Sequence, residues 1–171
     1  MGVDRRSVML AGALGLTAGA ASADVLAGSA KSLVGAWTLA DADTIYTDGR
    51  VTPFMGLAKP YQGLLIYTPQ GMLSFQVSSV RKPRSPNDPP LTPQEKAANY
   101  DLYKSYFGHY EVDEAASVVT LRIITSIQPE QIGAVLRRHY ELAGDTLTLK
   151  TEVGSAGIPN SYNRLVWHRQ A

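Results

Sequence analysis

The sequence contains no cysteine. This absence excludes disulfide bonds, thiolate metal ligands, a cysteine nucleophile and an acylated lipoprotein anchor. A chain of 171 residues without such links must be held together by its core. A domain of about 150 residues buries roughly 68–70% of its unfolded surface, which makes this feasible. We therefore expect one globular domain that folds without covalent cross-links.

An excess of charge of one sign is also missing. Sixteen Lys and Arg residues oppose fifteen Asp and Glu residues, for a net charge of +1. So small a net charge produces no strong field to attract nucleic acid or an anionic membrane. Ten prolines and fifteen glycines are too many for a helical bundle and are typical of a turn-rich β protein.

The motifs of several enzyme classes do not occur. The sequence has no Gly-x-Ser-x-Gly elbow, phosphate loop or dinucleotide fingerprint. Its carboxylates do not form an inward-facing pair of the kind that glycosidases and aspartic proteases use. The histidines, His109, His139 and His168, fall on the polar phase of predicted strands and lack metal-ligand spacing. We therefore predict no metal site and no cofactor.

Residues 1–23 are typical of a secretory signal peptide. Arg5 and Arg6 precede a weakly apolar run at residues 8–20, and residues 21–23 are Ala-Ser-Ala, the small-x-small pattern of a cleavage site. The paired arginines resemble a twin-arginine signal, and an ordinary Sec signal is the alternative. No apolar run is long enough to span a bilayer. We predict a periplasmic or secreted protein that begins at Asp24, with residues 24–32 as a flexible lead-in.

The rest of the chain, residues 33–171, is predicted to be an all-β domain. Period-two alternation and turn signals predict strands at residues 33–40, 44–46, 61–68, 72–79, 107–113, 117–127, 134–142, 146–153 and 164–169. Because strands and helices do not alternate, a parallel sheet is disfavoured. An up-and-down antiparallel β-barrel of eight or nine strands removes exposed edges and encloses room for one small ligand.

One helix is predicted in a mid-chain insertion. Five prolines within residues 82–93 prevent a sheet ladder there. Thr92 and Glu95 then form a capping box with Pro93 at the first helical position, which predicts a helix over residues 93–104. Its apolar residues form only a partial stripe, so we expect it to partly cover the barrel mouth.

The first and last predicted strands resemble those of lipocalins. Gly35 and Trp37 lie on the first strand, and Arg169 ends the last. The resemblance implies that Trp37 plugs the closed end of the barrel and stacks on Arg169. A desolvated pair of this kind gains roughly 2 kcal/mol.

The chain is more specifically similar to the bacterial and fungal lipocalin-like domain proteins. The segments that carry this resemblance are residues 33–37, 63–72, 106–112, 137–142 and 147–149. Because this family shares a fold and no single activity, the resemblance implies a ligand-holding barrel and little about chemistry. The chain departs from the classical lipocalin pattern in having neither a disulfide nor a C-terminal helix.

Alternation on the seventh strand predicts an inward arginine. Leu136, Arg138, Tyr140 and Leu142 share the apolar phase. A buried guanidinium needs an anion or several acceptors. Arg138 is therefore either an anchor for a ligand carboxylate or carbonyl, or a structural arginine that is hydrogen-bonded or stacked internally.

Three tyrosines are predicted to converge on the interior. Tyr67, Tyr110 and Tyr140 lie on inward phases of their strands. A tyrosine combines apolar area with one hydroxyl, which suits the orientation of a mostly apolar ligand. The alternative is that the tyrosines fill the barrel and bond to each other.

The fourth strand leaves two possibilities. If its polar phase faces inward, Gln76 supplies a neutral hydrogen-bonding group to the ligand site. If Leu73, Phe75 and Val77 face inward, the strand forms plain core, and this second pattern is favoured.

These observations support three hypotheses about function. The leading one is an exported barrel that binds a small, mostly apolar molecule with an acid or carbonyl group. The second is a cofactor-free isomerase, cyclase or lyase that acts on a small carbonyl compound inside the barrel. The third is a filled-barrel envelope protein whose partner is another protein. An interior pocket above roughly 300 Å³ separates the first two from the third.

Overall fold

The computed structural model describes residues 33–155 and 157–170, so the predicted signal peptide and lead-in lie outside the described residues. The described residues form nine strands, one helix and two short 3-10 turns, Phe54–Gly56 and Pro129–Gln131. The elements are β1 (Gly35–Tyr46), β2 (Val51–Pro53), β3 (Tyr61–Tyr67), β4 (Met72–Ser79), α1 (Pro93–Asp101), β5 (Tyr103–Asp113), β6 (Val118–Ser126), β7 (Val135–Ala143), β8 (Thr146–Thr151) and β9 (Ser161–Arg169). None of the described helices is both long and apolar enough to cross a lipid bilayer.

The sheet closes into an antiparallel barrel. Each strand from β3 to β8 pairs with the next along the chain, and β1 pairs with both β3 and β9. Eight strands therefore form a closed ring, and β2 is an additional short strand on the far half of β1. This architecture confirms the predicted all-β up-and-down barrel with one helix in a mid-chain insertion.

The first strand differs from the prediction because it contains a bulge. Residues 33–40 and 44–46 were expected to be separate strands, but β1 runs unbroken with a register shift between Leu39 and Asp41. The shift changes which residues face inward, so that Ala42 and Thr44 follow Leu39 into the interior. A uniform alternation pattern cannot pass through such a shift, which is why the sequence indicated two strands.

A second bulge lies in the pairing of β5 with β6. The register shifts between Phe107 and Gly108, and the backbones approach so closely that a Cβ on Gly108 would lie 2.1 Å from the Arg122 carbonyl oxygen. Only glycine fits at this position without displacement of the backbone.

Helix α1 begins as predicted and ends early. The Thr92 hydroxyl accepts from the Glu95 N–H and the Glu95 carboxylate accepts from the Thr92 N–H, which confirms the capping box. The helix ends at Asp101 because Tyr103 already pairs with Ser78 in the sheet. All of its residues are at least partly exposed.

The closed end of the barrel is sealed by a tryptophan. Trp37 is fully buried, and its indole N–H donates to the Leu33 carbonyl at 2.9 Å. The Arg169 guanidinium carbon lies 4.1 Å from the centre of the Trp37 ring, and Nη1 of Arg169 donates to the Val34 carbonyl at 2.9 Å. The structure thus brings together the two residues that the lipocalin resemblance pairs.

Candidate functional site

The barrel contains an interior cavity of about 410 Å³, within the usual range of ligand pockets. It opens toward three connections: the turn after β2, the β6–β7 loop and the β8–β9 loop. An apolar wall surrounds most of it, formed by Leu65, Phe75, Leu121, Leu136, Leu149 and Leu165. The barrel is hollow, so the observation required by the two ligand hypotheses is present and the filled-barrel hypothesis loses its premise.

Arg138 lies on the cavity wall, as the alternation of β7 predicted. The neighbouring Arg137 and His139 point outward and are exposed. Nη1 of Arg138 donates to the Arg137 carbonyl at 2.9 Å. Among the ion pairs of the described residues, none involves Arg138. The guanidinium therefore brings to a largely apolar cavity a positive charge that has no ion-pair partner among the described residues.

Tyr67 presents an unsatisfied hydroxyl to the same cavity. The side chain is 1% exposed, and within the part of the chain that the structure describes its hydroxyl has no hydrogen-bond partner. Burial raises the pKa of Tyr67 well above its usual value of 10.0, so the phenol keeps its proton and acts as a donor. Within the described residues the indole N–H of Trp167 is also unpartnered, but Trp167 does not line the cavity. Tyr67 thus combines an unpartnered hydroxyl with access to a ligand.

Tyr106 is a third polar side chain on the cavity wall, in addition to Arg138 and Tyr67, and the sequence analysis missed it. It lines the cavity, stacks on Phe75 with ring centres 4.5 Å apart, and lies beside Arg138. Burial raises the pKa of Tyr106, and the Arg138 guanidinium partly opposes that rise. The fifth strand was predicted to begin at residue 107, but it begins at Tyr103; extending the period-two pattern back from Tyr110 through Gly108 would have found Tyr106.

The other predicted ligand residues do not line the cavity. Tyr110 is buried, but its hydroxyl donates to the Thr68 carbonyl at 2.9 Å and its ring packs edge-on against Tyr67 at 4.7 Å. Tyr140 faces inward and packs against the core without reaching the cavity. Both tyrosines lie in the interior, and the Tyr110 hydroxyl bonds to a backbone carbonyl and not to another tyrosine.

Gln76 lies on the opposite face of β4 from the cavity. Leu73, Phe75 and Val77 point into the barrel and are buried. The Gln76 amide oxygen instead accepts from the Tyr103 hydroxyl at 2.8 Å. Because side chains alternate strictly across a strand, an inward Phe75 forces Gln76 outward.

The mouth of the cavity carries polar residues that the sequence analysis did not single out. Asn163 and Thr151 lie on β9 and β8, and both are buried. Lys104 and Glu130 also line the cavity, and Gln128 donates to the Tyr103 carbonyl at 3.3 Å. Asn163 was overlooked because the last strand was predicted to begin at residue 164, one residue after it.

Helix α1 lies beside the mouth. None of its described residues lines the cavity, and the hydroxyl of Tyr100 donates to the Ile127 carbonyl at 2.9 Å. The expectation that the helix partly covers the mouth is therefore wrong. The turn with Phe54 and Met55 takes that place, since both residues line the cavity.

The three histidines are exposed on the outer surface. Across residues 33–155 and 157–170, His, Asp and Glu side chains nowhere gather in a group of three or more that could hold a metal ion. The side chains on the cavity wall that carry hydrogen-bonding groups or charge are phenols, amides, hydroxyls, Lys104, Glu130 and Arg138.

The fold and the cavity define a closed antiparallel barrel with a ligand-sized interior. The family model of the lipocalin-like domain matches residues 34–170. The chain therefore belongs to the lipocalin-like domain family, and this membership confirms the resemblance seen in the sequence. The search of curated proteins found no match.

Proposed function

We propose that this protein is an exported barrel that binds a small, mostly apolar molecule through an acid or carbonyl group. The family and the hollow barrel support small-molecule binding in general. The observation that supports an acid or carbonyl group on the ligand is the Tyr67 hydroxyl. Among the described residues it is a buried donor without a partner, and it lines the same cavity as Arg138.

The polar chemistry of the cavity selects the ligand's functional group. Leaving a buried donor unsatisfied costs about 1–3 kcal/mol, and a ligand oxygen between Tyr67 and Arg138 would remove that cost. A carboxylate satisfies both donors and pairs with the guanidinium charge. A ketone or aldehyde oxygen accepts the same hydrogen bonds without the charge. The surrounding leucines favour an apolar body.

Three probes of similar shape test this proposal. We expect 2-naphthoic acid to bind more tightly than methyl 2-naphthyl ketone, and the ketone more tightly than 2-methylnaphthalene, by fluorescence titration or calorimetry. Replacing Arg138 with Met should weaken binding of the acid about 10- to 100-fold, which is the contribution of a hydrogen bond to a charged group. Arg137→Met is the matched control because Arg137 is the adjacent arginine that faces outward. Equal binding of all three probes would refute the polar anchor.

The export part of the proposal rests on residues 1–23 alone. Arg5, Arg6 and the Ala-Ser-Ala site at residues 21–23 are the features that support it. Expression of the full chain in a bacterial host with a periplasm, followed by fractionation and N-terminal sequencing, should yield a periplasmic protein that begins at Asp24. Replacing Arg5 and Arg6 with Lys should block export if the route is twin-arginine and leave it intact if the route is Sec. An uncleaved cytoplasmic chain would overturn the export proposal.

A second candidate function, cofactor-free proton transfer, is favoured by one feature of the cavity. Tyr67 and Arg138 are donors that would also stabilise an enolate oxygen, and Glu130 is a carboxylate on the same cavity wall. An isomerase, cyclase or lyase needs such a pair of an oxyanion site and a base. Deuterium exchange at the α-carbon of methyl 2-naphthyl ketone, followed by NMR in D₂O, would reveal this activity. Exchange that is unchanged in Glu130→Gln would remove Glu130 as the base.

A further inference from the structure

We propose that Asn163 is a second recognition point in the same cavity, and that the ligand therefore carries a second hydrogen-bond acceptor at the other end of its apolar body. This inference rests on the proposed function and extends it. The ligand class becomes an acid with a distant keto, ester or ether oxygen.

Asn163 is oriented by a chain of hydrogen bonds. The Met55 N–H donates to the Thr44 hydroxyl oxygen at 3.1 Å, and the Thr44 hydroxyl donates to Oδ1 of Asn163 at 2.8 Å. The Thr44 hydroxyl thus accepts from the Met55 N–H and donates its own proton to Asn163, with the amide oxygen turned toward Thr44. The Nδ2 group is then on the other side of the amide.

That Nδ2 group has unused donors. Asn163 is 2% exposed and lines the cavity. Within the described residues, no group accepts a hydrogen bond from its Nδ2, while its backbone N–H is satisfied by the Thr151 hydroxyl oxygen at 2.9 Å. An amide on the cavity wall whose Nδ2 has no acceptor among the described residues can donate to a ligand oxygen.

The position of Asn163 separates this point from the first one. Thr151 on β8 pairs with Arg138 on β7 and bonds to Asn163 on β9. Neighbouring strands are about 4.8 Å apart, so the backbones of Arg138 and Asn163 are about 10 Å apart. The Arg138 side chain interacts with Tyr106 on β5 and lies near enough to Tyr67 on β3 to affect its hydroxyl. Arg138 and Asn163 therefore project from strands two apart, and a second acceptor on the ligand would reach Asn163 while the first lies between Tyr67 and Arg138.

The test compares two naphthoic acids that differ only in the second acceptor. The probes are 6-acetyl-2-naphthoic acid and 6-isopropenyl-2-naphthoic acid, which have nearly the same shape. We expect the native chain to bind the acetyl probe about three- to tenfold more tightly, the range that one net hydrogen bond contributes. In Asn163→Leu this ratio should fall to about one, whatever the change in affinity for the isopropenyl probe. Asn99→Leu, an asparagine on α1 that bonds to Arg81, should keep the native ratio.

Using the affinity ratio separates recognition from structural damage. If Asn163 had a purely structural role, Asn163→Leu would weaken the binding of both probes equally and the affinity ratio would stay at its native value. That result would overturn the inference. A ratio near one in the native chain would overturn it as well. The proposed function fails by a different result, which is equal binding of 2-naphthoic acid and 2-methylnaphthalene.

A measurement without any variant covers the case in which Asn163→Leu does not fold. The side-chain amide resonances of Asn163, observed by NMR on the intact chain, should shift with the acetyl probe and remain in place with the isopropenyl probe. Equal shifts with both probes would contradict a hydrogen bond to the acetyl oxygen.

Discussion

Two arginines of the described chain face the inside of the barrel, one at its closed end and one in its cavity. Arg169 stacks on Trp37, donates to the Val34 carbonyl and lies 3.4 Å from the Asp145 carboxylate. Arg138 instead faces phenols across a cavity, and the ion pairs of the described chain do not include it. The protein satisfies the first arginine with its own groups and leaves donors of the second for something else. The same residue type is structural where its partners are complete and available for a ligand where they are not.

The largest expected effect concerns the closed end. Trp37→Ala removes a fully buried indole that seals the barrel. Truncation of a buried tryptophan costs about 3–5 kcal/mol, so the unfolding free energy from urea titration should fall by that amount. Phe107→Ala, on the exposed outer face of β5, is the control and should change stability little. A loss below about 1 kcal/mol for Trp37→Ala would mean that the indole does not hold this end together.

The second prediction compares the two arginines directly. Arg169→Met should lower the unfolding free energy by roughly 2 kcal/mol through loss of the cation–π contact, and leave the affinity for 2-naphthoic acid unchanged. Arg138→Met should have the opposite effects: the unfolding free energy should stay the same, and the affinity for 2-naphthoic acid should fall. Urea titration and fluorescence titration on both variants check this. If both variants lose stability and affinity together, the distinction between the closed end and the cavity is wrong.

A smaller effect is expected at Tyr67. Tyr67→Phe removes an unsatisfied buried hydroxyl, so the ligand-free protein should be as stable as the native chain or slightly more stable. Binding of methyl 2-naphthyl ketone should weaken by about 0.5–1.5 kcal/mol, the net contribution of one neutral hydrogen bond. Tyr110→Phe is the matched control, because the Tyr110 hydroxyl already donates to a carbonyl outside the cavity. A clear loss of stability in ligand-free Tyr67→Phe would show that this hydroxyl has a partner within the protein.

The smallest effect concerns the segment that leads from the mouth turn into β3. Lys59 lies 2.9 Å from Asp41 and 3.0 Å from Asp43, and so links this segment to β1. The hydrogen bond from Lys59 holds the pKa of Asp41 below its usual value of 3.8. A depressed folded-state pKa stabilises the protein above the unfolded value, and this stabilisation is lost as the pH falls through the folded pKa.

Because the pKa of Asp41 is lowered in the folded protein, we expect the native chain to lose more stability than Asp41→Asn when the pH falls from about 5 to about 2. The difference should be well below 1 kcal/mol, because Asp41 and Lys59 are both partly exposed and solvent screens the pair. Urea titrations at several pH values measure it. Parallel pH profiles for the two proteins would show that the link contributes nothing.

Local patterns predicted those parts of the site that depend on one strand. The alternation of Leu136, Arg138, Tyr140 and Leu142 indicated their inward face, and the structure agrees. The capping box at Thr92 was also visible in the sequence, because its two partners are three residues apart. Such features depend on neighbours along the chain, and short-range geometry determines them.

Features that depend on how the strands close into a barrel could not be predicted from the pattern of a single strand. Alternation separates Gln76 from Phe75 but does not by itself say which of them faces the cavity, since that depends on the strands around them. Asn163 is held by Thr44, more than a hundred residues away, because β9 returns to pair with β1. The bulge after Leu39 likewise became evident only against the register of β9.

The sequence by itself therefore determined the all-β class, the closed-end pair Trp37 and Arg169 through the family pattern, and the inward phase of Arg138. The tertiary structure alone decided that Tyr67 keeps an unused donor, that Tyr110 does not, and that Asn163 joins the cavity. The physical reason is that alternation is a property of one strand. Whether a polar group is satisfied depends on atoms that the closed ring brings together from distant parts of the chain.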